Sequence, residues 1–138
     1  MKTKAIVQVA LVLVGLTNLI FGLWAMFGPR SFFDSLAADF PPYNEHLIHD
    51  IGAFMFGLAV TALIALVRRD GWLVALAGNA AAAIAHLGSH LVDRDEGATL
   101  LDPFGLALLA AFLVVALVKL QLGDETTTRE ASEPKAQR

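Results

Sequence analysis

The sequence predicts an all-α fold, an integral membrane four-helix bundle with a short interfacial helix between helices 1 and 2. Three observations predict it. Hydrophobic residues make up 57% of the 138 positions, with a mean hydropathy of +0.63. A soluble domain of this size leaves too much surface in water to hide that many apolar groups. Four apolar runs each approach the ~20 residues that a helix needs to cross the hydrocarbon core. The charged residues, only 17% of the chain, gather in short clusters between those runs. Backbone groups in lipid must be bonded internally, so each run is a helix.

The first span covers 5–27, from Ala5 to Phe27, and is interrupted only by Gln8, Thr17 and Asn18. Met-Lys-Thr-Lys before an apolar run also opens a signal peptide. This run is longer than a typical signal core, and no small-x-small site follows Trp24 and Phe27, so it reads as a retained span. In the 28–43 connection, Ser31 and Asp34 have capping-box spacing, Phe32, Phe33 and Leu36 are apolar, and Pro41-Pro42 stops the chain. It reads as an amphipathic helix on the membrane surface, with a lid over the bundle as the competing form. The second span covers 44–67. Arg68-Arg69-Asp70-Gly71 is a tight turn into the third, 71–92. A polar loop with Gly97 leads to the fourth, 102–122, where Lys119 can snorkel to the headgroups. Residues 1–122 form one transmembrane domain, and 123–138 read as a disordered cytoplasmic tail.

Lys and Arg placement orients the bundle. Lys2, Lys4, Arg68, Arg69, Lys119, Arg129, Lys135 and Arg138 fall on one side, and only Arg30 and Arg94 on the other. Both termini are therefore expected in the cytoplasm. Cysteine is absent, which removes disulfides, thiolate metal sites and thiol catalysis. A net charge of -3 offers no basic face for nucleic acid. The expected partners are the lipid bilayer and either another membrane protein or a second copy. Serine or cysteine nucleophile motifs, a P-loop and a dinucleotide fingerprint are all missing, so the sequence points away from an enzyme without deciding the matter.

All four histidines fall near the extracytoplasmic ends of the second and third spans, along with Glu45, Asp50 and Asp93. His46 and Asp50 are one helical turn apart, as are His86 and His90. The two spans are antiparallel through a tight turn, so the pairs come to similar depth. Small and polar rows accompany them: Gln8, Gly15, Asn18 and Gly22; His46, Asp50, Ala53, Gly57 and Thr61; Asn79, Ala83, His86, His90 and Asp93. Small residues admit close helix approach and polar ones bond across it, so all three rows are expected to face inward, with the fourth span as packing scaffold.

Ionisable groups within a membrane point to function. The first reading is a transition-metal site, with His46, Asp50, His86 and His90 as ligands and His49, Glu45, Asp93 and Asn18 as supporting or alternative groups. Imidazole with carboxylate suits Zn, Cu(II), Fe or Mn, and less naturally Cu(I). The second is haem b between one histidine from each helix. The third is His–Asp proton chemistry or contact with a quinone headgroup. Against these stands a network that binds nothing and only fixes helix packing, as in a structural or accessory subunit. Asn18 and Asn79 read as interhelical bonds, and Trp24, Tyr43 and Trp72 as interfacial belt residues.

The stretch from Phe40 to Phe54, Phe-Pro-Pro-Tyr-Asn-Glu-His-Leu-Ile-His-Asp-Ile-Gly-Ala-Phe, resembles a segment of small, uncharacterised, actinobacterial-type membrane proteins loosely grouped as DoxX-like. The histidine-rich end of the third span, His86 to Asp93, is similar to theirs as well. The resemblance implies a four-helix fold in a bacterial inner membrane and no particular reaction.

Overall fold

The computed structural model of the protein covers residues 2–37, 42–93 and 101–132. Five helices follow in order: α1 (Lys2–Phe27), α2 (Pro29–Leu36), α3 (Glu45–Arg68), α4 (Trp72–Val92) and α5 (Leu101–Ser132). Thr3–Phe27, Glu45–Arg68, Trp72–Val92 and Pro103–Gly123 are each long and apolar enough to cross a membrane. These match the expected spans to within a turn. Gly123 lies beside Thr3, so the start of α1 and the end of the fourth span lie at one end of the bundle, the terminal end. The start of α3 and the end of α4 lie at the other, distal end.

Local chemistry explains the boundaries. Asn44 Oδ1 accepts from the Leu47 N–H at 3.1 Å, satisfying an orphan donor of α3, and Glu45 adds an acid to the positive end of the helix dipole. At the other end Arg69 takes a left-handed conformation (φ 56°) and Gly71 follows with φ 70°. The Asp70 carboxylate accepts from the Gly71 N–H at 2.7 Å. The Trp72 indole donates to the Ala65 carbonyl at 2.9 Å and straps the turn shut.

α2 starts earlier than the capping-box spacing predicts. Gly28 is the N-cap and Pro29, whose fixed φ suits a first helical residue, occupies the first turn. Ser31 is therefore inside the helix. Its hydroxyl donates to the Gly28 carbonyl at 2.9 Å and accepts from the Trp24 indole at 2.8 Å. Asp34 accepts from Arg30 Nε at 3.0 Å instead of capping anything. Phe32 and Phe33 turn inward onto Ala25 of α1 and Ile48 of α3, while Arg30 and Leu36 stay exposed. α2 is thus a clamp across α1 and α3, and it makes no contact with α4 or α5 among the described residues.

The bundle is built from two tight pairs, α1 on α3 and α4 on α5. Glycine permits the first. A Cβ on Gly22 would lie 2.9 Å from the Phe56 nitrogen, and one on Gly52 would lie 2.7 Å from Met26 Cγ and 2.9 Å from the Gly22 carbonyl. Backbone meets backbone there, as small residues allow in membranes. The shared core of all four spans lies toward the terminal end, where Leu11, Ala62, Leu76 and Leu113 interdigitate. The second apolar cluster, at the distal end, draws only on α1, α2, α3 and the approach to α3. α5 supplies Ala110, Leu113 and Ala116 to the core, in line with its expected scaffold role. It then continues as helix to Ser132, through residues expected to be irregular. A helix already nucleated in the membrane extends at low cost into water when Glu, Arg and Ala follow. The rest of the expected tail, 133–138, lies outside the described residues.

Candidate functional site

The distal end holds the candidate residues, and each position follows from how its helix is rotated. On α3 the buried contact between Gly52 and Gly22 fixes the rotation. At about 100° per residue, Asp50 then points to the opposite side of the helix from Gly52. Asp50 and His46 are both exposed, with His46 Nε2 3.6 Å from Asp50 Oδ2. That is ion-pair range and beyond a hydrogen bond. His49, between them, is half-buried, and Glu45 is exposed.

On α4 the buried row Leu76, Asn79, Ala83 continues through Leu87 and His90, which are half-buried. His86 lies one residue off that row and is exposed. It reaches His90 along the same helix, with the two Nε2 atoms 3.2 Å apart and the ring centroids at 4.9 Å. Asp93 is the C-cap of α4, its backbone N–H bonded to the Ser89 carbonyl at 2.8 Å. Its side chain is exposed.

The expected four-residue centre therefore does not assemble. Among the described residues no three His, Asp or Glu side chains are grouped so as to hold one ion. The four candidates form two intrahelical pairs, His46–Asp50 and His86–His90. Convergence needs both helices to present those faces to each other, and their rotations are set by glycine and apolar packing. The inward expectation for the α3 row is corrected in full: His46, Asp50, Ala53, Gly57 and Thr61 are all exposed.

Asn18 is no part of that centre either. Its Nδ2 donates to Asn79 Oδ1 at 3.0 Å, and Asn79 Nδ2 donates to the Ala75 carbonyl at 2.9 Å. Asn79, 2% exposed, is the buried polar side chain among the described residues. The sequence marks both residues as interhelical, and the structure pairs them with each other, linking the α1–α3 pair to the α4–α5 pair.

No protein-family model matches the chain, and no curated protein or solved structure is significantly similar to it.

Sequence reasoning missed one polar feature of the distal end. The Arg30 guanidinium, bonded to Asp34, also sits 5.0 Å from the Tyr43 ring centre, a cation–π distance. The hydrogen bond to Asp34, followed by its charge, pushes the Arg30 pKa up. Desolvation and then the Glu45 charge push that of Tyr43 up, so its hydroxyl stays protonated at neutral pH. The i,i+4 spacing of Arg30 and Asp34 was the available signal. The hydroxyls of Ser31, Thr61 and Ser89 all donate to carbonyls of their own helices, which commits their protons to backbone partners. Such hydroxyls are poor starting points for nucleophilic catalysis.

Proposed function

We propose that this protein is a non-catalytic accessory subunit of a bacterial-type cell membrane, both termini cytoplasmic, that binds another transmembrane helix through the exposed face of α3. One observation carries the reading: His46, Asp50, Ala53, Gly57 and Thr61 form a continuous exposed row, four residues or fewer apart. Lipid makes such a face costly at its polar positions and gives nothing back at its small ones. A partner helix changes both terms, because small residues admit its backbone and polar ones find bonds. A Cβ added to Gly57 would meet nothing within 4 Å, so the space for a partner is open. The likeness of 40–54 and 86–93 to DoxX-like proteins accords with this setting.

The absence of native cysteine makes the test clean. Single cysteines at Gly57 and Thr61, labelled with a maleimide–benzophenone whose photoactivated end inserts into C–H bonds, are expected to cross-link in native membranes. The product has twice the chain mass if the partner is a second copy, and another discrete mass if it is a different protein. Val9 and Leu108, exposed on α1 and α5, serve as controls. Equal or absent cross-linking at all four positions overturns the reading.

A second reading, transition-metal binding at the distal end, is favoured by the 3.2 Å between the Nε2 atoms of His86 and His90.

A further inference from the structure

We infer that His86 and His90 form a two-nitrogen chelate for a single divalent d-block ion of the Cu(II)–Zn class, without His46 or Asp50; this rests on the metal reading above. The residues are one turn apart on α4, and their side chains already meet. The Nε2 atoms at 3.2 Å are closer than the ring centroids at 4.9 Å, so the rings converge at their Nε2 edges. An ion about 2.05 Å from each nitrogen, the usual metal–imidazole distance, would subtend an angle of about 100° across that 3.2 Å gap. Tetrahedral geometry asks for nearly the same angle. The pair needs no rearrangement of backbone to bind.

The protonation balance is simple. Without metal, one Nε2–H donates to the other Nε2, which fixes opposite tautomers on the two rings. With exposed His86 as the donor, its ring exchanges that proton through solvent from Nε2 to Nδ1 on binding, and His90 keeps its proton on Nδ1. Both Nε2 lone pairs then face the ion, and no net proton is released. His86 is exposed, and α2 packs on α1 and α3, so the clamp does not cover the pair. Water fills the remaining coordination positions. Imidazole donors without thiolate favour Cu(II) and Zn over Cu(I), and the general affinity order makes Cu(II) the tightest probe.

Untagged full-length protein in detergent is titrated with Cu(II), read by calorimetry and by the nitrogen hyperfine structure of its electron paramagnetic resonance spectrum. The expected result is one equivalent of copper on two nitrogens. His86→Ala and His90→Ala should each weaken binding on the order of 100-fold, the usual gain from making a second contact intramolecular. His46→Ala should change nothing. Undiminished binding in the double variant His86→Ala/His90→Ala, with loss in His46→Ala or Asp50→Ala, overturns this chelate and leaves the metal reading standing. Failure of the wild-type chain to bind copper stoichiometrically overturns both. His86→Gln and His90→Gln, with unchanged helical circular dichroism, exclude misfolding as the cause of a loss.

Discussion

At the residue scale, two kinds of contact hold the spans in place, and each makes a prediction. The Asn18–Asn79 hydrogen bond lies within the bundle, where a lost partner leaves an amide without water to turn to. Asn79→Ala should lower stability by about 1 kcal/mol, and the Asn18/Asn79 double-mutant cycle should return a coupling of about 0.6 kcal/mol, as is usual for interhelical bonds in membranes. Denaturation in mixed micelles measures both, and strictly additive losses would show the bond to be unimportant. The glycine contact is steric. Gly52→Ala places a methyl within 2.7 Å of Met26 Cγ and 2.9 Å of the Gly22 carbonyl. Met26 can swing aside but the backbone cannot, so a cost of about 1–3 kcal/mol is expected. Gly78→Ala, with nothing within 4 Å, should stay within about 0.5 kcal/mol of wild type in the same assay.

At the element scale, α2 is attached through a small apolar cluster and a few polar bonds, separate from the four-span core. Such a unit opens independently of the bundle. Phe33→Ala removes one of the two aromatic anchors, each 8% exposed. Hydrogen exchange should then quicken over Pro29–Leu36 by at least about tenfold, each 1.4 kcal/mol of lost anchoring being worth a factor of ten, with protection in α4 and α5 unchanged. Faster exchange throughout α1 and α3 would mean that the clamp is integral to the bundle instead. The α3 face makes a matching prediction. Gly57→Leu should abolish the Thr61 cross-link while leaving denaturation unchanged, because the added side chain fills space the bundle itself does not use.

At the scale of the whole molecule, four spans among the described residues would put the start of α1 and the end of the fourth span on one side of a membrane, and the basic residues are expected to choose which. Arg68, Arg69 and Lys119 join Lys2 and Lys4 at the terminal end, so that end is expected in the cytoplasm. A green fluorescent protein fused after Arg138 should fluoresce, and alkaline phosphatase fused after Asp93 should be active in a bacterial host. The reverse pattern would invert the topology and move the histidines to the cytoplasmic face.

The sequence by itself determined the helices and their order. Span length, the Arg68–Gly71 turn and the interhelical roles of Asn18 and Asn79 all depend on local spacing or on a buried amide needing a partner. Tertiary structure alone decided which way each helix faces. A row such as His46, Asp50, Ala53, Gly57 and Thr61 can line a bundle or lie against its surroundings, and hydropathy distinguishes the two poorly when lipid replaces water outside. Rotation was settled by backbone approach at Gly22 and Gly52, two residues from Asp50, and by alanine packing near the termini, contacts that the His and Asp spacing does not encode.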